Sequence, residues 1–239
     1  MQSARPDFDS LASDAVRQWC SYVTRDDAPE TQEGNRGAMI GGGSMNGFAT
    51  AARAVALSAG VPEEHIIISS HPRDLRSTLP GFFRTTKNFD FLIIRNRVPV
   101  VALEFKSING AYGKNMNNRA DEAIGQGTDL NAMYAANGMR ASDFFSGYIF
   151  CMADDNDSRR TTQETTLALI DLQVGMNGLS YQGRGDAMCL RLEERGVWTC
   201  TSFLTSDHSE CDGTYTVHNP DNSPTRFLRR LSTFLASIY

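Results

Sequence analysis

Residues 88–107 read N-F-D-F-L-I-I-R-N-R-V-P-V-V-A-L-E-F-K-S. Two apolar runs, 88–95 and 97–107, meet at a polar turn around Asn96, and so short a connection forces an antiparallel hairpin. Pro99 sits near the start of the second strand, where a strand tolerates a missing N–H. Val100 to Leu103 read as buried strand, so the hairpin belongs to the interior of a sheet. Residues i and i+2 of a strand share a face, which sets Glu104 and Lys106 side by side at the edge of that core. Asp90 lies on the partner strand, giving the pattern D-x(13)-E-x-K.

The lysine is itself informative. The chain has 23 basic residues, of which only Lys87, Lys106 and Lys114 are lysines, all between positions 87 and 114. Carboxylates on adjacent strands can hold one or two Mg²⁺ ions, which favour oxygen ligands and retain waters. Such an ion lowers the pKa of bound water and offsets charge on a phosphorane-like transition state. A lysine on the same face can orient or deprotonate that water, because its compact ammonium has a tunable pKa that arginine lacks. The competing account is a structural Glu–Lys pair at a strand end beside an Asp in a turn. Burying such a pair is costly without a function to justify it. An acidic-x-Lys triplet is common by chance, so the paired Asp90 and the apolar flanks carry the argument for a metal-dependent nuclease.

The net charge of −5 argues against a nucleic-acid partner until its distribution is considered. Residues 71–119 hold nine basic side chains against three acids, a local +6 that leaves −11 on the rest of the chain. Binding follows the local field, so this zone can contact phosphates; solvated arginine-bearing loops are the bland alternative. No apolar run approaches the length of a membrane span. The N-terminus lacks signal-peptide regions, which predicts a cytoplasmic location. Five cysteines without a C-x-x-C suit a reducing compartment and argue against a disulfide framework.

Along the chain, periodicity predicts helices over 8–23, from a Ser44 cap to about Ser58, and over 117–136. Further helices are expected near 163–173, 182–195 and 224–237. Strands are expected at 65–69, 147–152, 198–204 and 214–218. The glycine-rich stretch 34–43 lacks the G-K-[ST] of a phosphate-binding loop. Cys200, His208, Cys211 and His218 match no usual zinc spacing. The amphipathic stretch 226–235 reads as a packing helix with a basic outer side, with a DNA or dimer contact as the alternative. One α/β domain is the simplest account.

Three ordered stretches, P-G-F-F-R-T-T-K-N-F-D-F-L-I-I (80–94), V-A-L-E-F-K-S (101–107) and N-M-N-N-R-A-D-E-A-I-G (115–125), resemble the XhoI family of type II restriction endonucleases, within the PD-(D/E)xK nucleases. G-G-G-S-M-N-G-F (41–48) fits the family's N-terminal part. The resemblance is strongest over 80–130, thinner over 35–79 and vague beyond 155. It implies a restriction-endonuclease-like α/β core, a central mixed β-sheet flanked by helices. It implies a single nuclease domain over 1–239, with a catalytic core at about 44–155 and residues 156–239 serving DNA recognition or dimerisation. Asp90 and Glu104 would be Mg²⁺ ligands, with the backbone carbonyl of Phe105 nearby, and Lys106 the general base or water-orienting residue. The family further implies a homodimer that cuts both strands of double-stranded DNA at a short palindrome, CTCGAG for its namesake, leaving 5′-phosphates. A cognate DNA methyltransferase acting on the same site is the functional partner.

One position departs from the family pattern: Asn46 stands where an Asp is usual, which weakens any auxiliary support to the metal site. Glu122 is a second auxiliary candidate. Lys114, Asn115, Asn117, Asn118 and Arg119 form the leading DNA-reading element, since Asn suits adenine edges and Arg suits guanine. The alternative is capping by Asn117 or Asn118, with Arg119 paired to Asp121 or Glu122. Arg84 and Lys87 are expected at the phosphates flanking the scissile bond, or else are ordinary loop charges. Two other functions remain open: a DNA-binding module that has lost cleavage, and a nuclease that acts on DNA structure.

Overall fold

A computed structural model describes residues 6–24, 42–71, 74–162 and 175–239. The predicted hairpin is its centre. Strand β4 (Phe91–Arg95) pairs antiparallel with β5 (Val98–Ile108), and Arg95 faces Val98 across a two-residue turn. Asn96 and Arg97 both take positive φ, 51° and 66°. That conformation matches the right-handed twist of the flanking strands.

In chain order the remaining strands are β1 (Ile66–Ile68), β2 (Thr78–Pro80), β3 (Thr86–Asn88), β6 (Phe145–Ala153) and β7 (Cys200–Ser206). The main sheet runs β1-β4-β5-β6-β7, antiparallel from β1 to β5 and parallel from β5 to β7. It is therefore the mixed sheet expected. β2 and β3 form a separate small hairpin.

Alternation sorts the sheet's side chains into two cores. Phe91, Ile93, Val101, Leu103, Phe105 and Ile149 pack with α1 (Phe8–Val23), α2 (Asn46–Ser58) and α5 (Pro224–Ile238). Leu92, Ala102, Tyr148, Phe150 and Phe203 pack on the other face with α3 (Tyr112–Ala136) and α4 (Tyr181–Glu194). Sequence after residue 155 supplies β7, α4 and α5, so this part is built into the same sheet and cores. Arg226 and Arg230 of α5 both bond Glu193, tying the basic side of that helix to α4.

Several expectations are corrected. α2 begins at Asn46 after a 3₁₀ turn over Gly42–Met45, and no side chain caps it, so Ser44 is not the cap. α3 begins at Tyr112, five residues earlier than predicted, because Gly110 (φ 145°) and Ala111 (φ 49°) turn the chain directly out of β5. Residues 214–218 form no strand, only one bridge between Thr205 and Thr216, since the edge of β7 offers a partner for a single residue. Cys20 and Cys211 form a disulfide, where none was expected. Their separation of 191 residues hides from sequence spacing that this loop folds back onto α1. Cys151, Cys189 and Cys200 are free and buried. The predicted helix at 163–173 and most of the stretch 34–43 lie outside the described residues. Among the described residues no helix is long and apolar enough to cross a membrane.

Candidate active site

Continuing the β4–β5 register by one residue past Phe91–Leu103 sets Asp90 directly opposite Glu104. Asp90 shares the face of Leu92, and Glu104 and Lys106 share that of Ala102, so all three project toward the α3–α4 side. The Asp90 carboxylate accepts a hydrogen bond from the backbone N–H of Phe105 at 2.8 Å, which fixes it across the hairpin. Glu104 is 1% exposed. Its two oxygens meet two ammonium groups, Lys106 Nζ at 2.5 Å and Lys87 Nζ at 2.9 Å. Lys87 reaches in from β3, where it also lies over the Phe89 ring and donates to the Asn88 carbonyl.

The two carboxyls are held in opposite states. Burial and then the charge of Glu104 push Asp90 up to about 6, against the pull of Lys106, the Phe105 N–H and Lys87. Burial alone would raise Glu104 as well, but Lys106 and Lys87 outweigh it and hold that carboxyl below its usual range. Burial would lower Lys106; Glu104 and Asp90 reverse this and hold the ammonium above its ordinary value. The resulting site is one firmly ionised carboxylate, one reluctant carboxylate and two cations.

These residues fit a hard divalent cation. Asp90 and Glu104 supply oxygen donors only, and a cation placed between them would relieve the repulsion that raises Asp90. Among the described residues no three His, Cys, Asp or Glu side chains gather at one point. Water, the Phe105 carbonyl and substrate oxygens would have to complete the shell, the usual arrangement for Mg²⁺. The zinc candidates do not converge: Cys211 is in the disulfide, His208 packs edge-on to Trp19, and His218 bonds Thr205.

The other predicted residues are placed as follows. Arg119 pairs with Glu122 at 2.7 Å, its Nε is buried without a partner, and its charge is felt at Lys106. Asn115 bonds the Gly110 carbonyl, Asn117 accepts from Arg184 at 3.0 Å, and Lys114 and Asn118 are exposed. None of Asn115, Asn117 or Asn118 caps α3, because the helix starts before them. Arg84 is tied to Asp129 and the Gly125 carbonyl on α3. Asn46 is exposed and is not hydrogen-bonded to Asp90, Glu104 or Lys106; α2 packs on the opposite sheet face through Phe48 and Phe105.

Sequence reasoning missed two participants. Lys87, expected at a phosphate, also bonds the buried Glu104 carboxylate, a contact for which the clustering of the three lysines is the one sequence signal. Tyr148 stands beside Glu104 in the β5–β6 register with its hydroxyl buried and unpartnered, and only the register reveals it.

Known proteins resemble this chain over most of its length. The family model for restriction endonuclease XhoI matches residues 25–217. The type II restriction enzyme XhoI of Xanthomonas vasicola is 30% identical over 196 residues, covering 80% of this chain and 77% of that enzyme. BstVI of Geobacillus stearothermophilus, also a type II restriction enzyme, is 27% identical over 212 residues, covering 85% and 92%. AbrI of Azospirillum brasilense is 39% identical over 98 residues, 40% of this chain and 44% of its own. With the hairpin, the mixed sheet and these matches together, the chain belongs to the XhoI family of type II restriction endonucleases, site-specific enzymes that cut double-stranded DNA.

Proposed function

We propose that the enzyme hydrolyses both strands of DNA at a short palindrome with Mg²⁺ as cofactor, leaving 5′-phosphate ends, and that CTCGAG is the first sequence to test. The observation that carries this reading is the facing pair Asp90–Glu104 with Lys106 bonded to Glu104 on the same sheet face. Asp90, Glu104 and the carbonyl of Phe105 would hold the ion, which supplies a water of lowered pKa and charge stabilisation at the phosphate. Glu104, kept ionised by its two lysines, is the permanent anionic wall of the site. Lys106, held as an ammonium by Glu104 and Asp90, can orient the attacking water rather than take its proton. Arg119, anchored by Glu122, keeps a buried Nε–H without a partner, and its charge is felt at Lys106.

DNA would lie across the zone formed by Arg84, Lys87, Lys114, Asn115, Asn117, Asn118 and Arg119. Cutting two strands of a palindrome calls for two copies of this single site, so the working unit is a homodimer, with residues 156–239 serving recognition or dimerisation around the core at 44–155. A methyltransferase specific for the same sequence would protect the host. The decisive experiment incubates the protein with unmethylated plasmid in Mg²⁺, Ca²⁺ or chelator and sequences the product ends. Discrete fragments with identical ends that need Mg²⁺ support the reading. Binding without cutting under any metal, or smeared products, would refute it.

A further inference from the structure

The hairpin that delivers Lys87 to Glu104 has a second unusual feature at its tip. Phe82 and Phe83 are 56% and 70% exposed, and their rings touch edge to face with centroids 4.9 Å apart. Large aromatic side chains are seldom left in water without a purpose when the backbone beneath them is so firmly built. Both their N–H groups donate to one oxygen of Asp129, at 3.0 and 2.6 Å, and Asp129 is itself 3% exposed on α3. Arg84 closes the turn on the other Asp129 oxygen at 3.2 Å. A Cβ on Gly81 would lie 2.5 Å from the Arg84 carbonyl, so only glycine allows this tight a fold. The two rings are thus held outward on a rigid mount.

We propose that the Phe82–Phe83 turn is an aromatic wedge that enters the base stack of bound DNA beside the scissile phosphate; the proposal rests on Asp90, Glu104 and Lys106 being the cleavage centre. Two observations select DNA as the occupant. The turn lies within residues 71–119, where nine basic side chains stand against three acids, which attracts a polyanion; in the turn itself Arg76, Arg84 and Lys87 are each paired with an acid, Asp74, Asp129 and Glu104. The turn is also continuous with the site: β2 and β3 rise from it, and Leu79 pairs with Lys87, whose ammonium rests on Glu104. On this reading, a DNA strand seated at Glu104 would run along the hairpin that carries these rings. Apolar side chains that insert between base steps unstack them and kink the duplex, so sequences that open easily at that step are favoured.

The test uses a duplex carrying the sequence defined by the mapped cut ends, with 2-aminopurine substituted at one position at a time and Ca²⁺ replacing Mg²⁺ to prevent cutting. The wild-type protein is expected to raise the fluorescence at one step next to the cleaved bond. The doubly substituted Phe82→Ala/Phe83→Ala protein should lose that signal and bind about 10-fold more weakly or worse. Its thermal melt should be unchanged, because both rings are outside the cores. Phe83→Trp should keep the signal. Flat fluorescence at every position with the wild type, or a double variant that binds and cuts normally, overturns the wedge while leaving the nuclease intact. Loss of the dimer in the double variant by sedimentation, with normal fluorescence, assigns the rings to a second copy and overturns it too. A wild type that cuts no duplex under Mg²⁺ is a separate failure, that of the nuclease reading beneath it.

Discussion

Replacing Asp90 by asparagine should make the metal-free protein more stable while abolishing cleavage. The folded carboxyl sits at about 6, against an ordinary value of 3.8. A group whose folded pKa is raised favours the folded state fully only while protonated in both states. That contribution is lost as pH climbs from the unfolded value through the folded one. At pH 7.5 the wild type must therefore ionise a carboxyl that folding disfavours, at a cost of about 3 kcal/mol, or about 2 once its partial solvent exposure is allowed for. Asparagine keeps an oxygen for the Phe105 N–H and removes the charge beside Glu104. Urea unfolding in chelator should show a gain of about 2–3 kcal/mol at pH 7.5, shrinking to about 1 at pH 4.5 and to nearly nothing at pH 3.5. Added Mg²⁺ should stabilise the wild type and leave the variant unmoved. A variant less stable than wild type at pH 7.5, or a gain independent of pH, would refute the assignment of strain to this carboxyl.

Three further outcomes follow from the geometry. Lys106→Ala should cut plasmid about 10²–10⁴-fold more slowly, with Ca²⁺-dependent DNA binding retained in a gel-shift assay. Lys87→Met leaves buried Glu104 with one cation instead of two, so its carboxyl rises toward the ordinary range. Its depressed value stabilises the fold above the unfolded pKa, and weakening that support should move the acid-unfolding midpoint upward and cost about 1–3 kcal/mol at pH 7. Gly147→Ala would set a Cβ 2.5 Å from the Phe227 ring and 2.6 Å from Leu103. Overpacking of this kind should lower stability by about 1–3 kcal/mol in a thermal melt, without touching the carboxylates.

How much of this was legible depends on the range of the interactions involved. The β4–β5 hairpin announced itself because a short turn and alternation are local, and they fix the relation of Asp90, Glu104 and Lys106 without further information. Helices α1, α4 and α5 were legible for the same reason, being set by nearby periodicity. The start of α3 was not, because the break is made by Gly110 and Ala111 in left-handed or extended-glycine conformations, and an alanine at positive φ leaves no mark in sequence. Asp129 falls inside the expected helix 117–136 with nothing local to mark it; its role under the Phe82–Phe83 turn is a contact across 46 residues. The Cys20–Cys211 bridge depends on the return of a loop to α1 from the far end of the chain. Tyr148 becomes visible only when β6 is laid parallel to β5.

The asymmetry between the two carboxylates explains why this site needs Lys87 as well as Lys106. A lone buried Glu104 would protonate, since burial disfavours its charge; a neutral acid could not attract a cation or repel Asp90. Two ammonium groups prevent that and keep the anion ready. Their cost is that the negative potential available to a metal is drawn down at Glu104 and left mainly at Asp90, the carboxyl whose ionisation the fold opposes. On the proposed reading, a cation bound beside Asp90 would recover that opposed free energy, so the repulsion at Asp90 would add to the affinity for the ion. Lys87 also rides on the hairpin that carries Phe82 and Phe83, clamped to α3 through Asp129. If DNA docks there as proposed, it would press on the same piece that sets the charge balance at Glu104. Substrate docking and cation binding would then be coupled through one short β-hairpin.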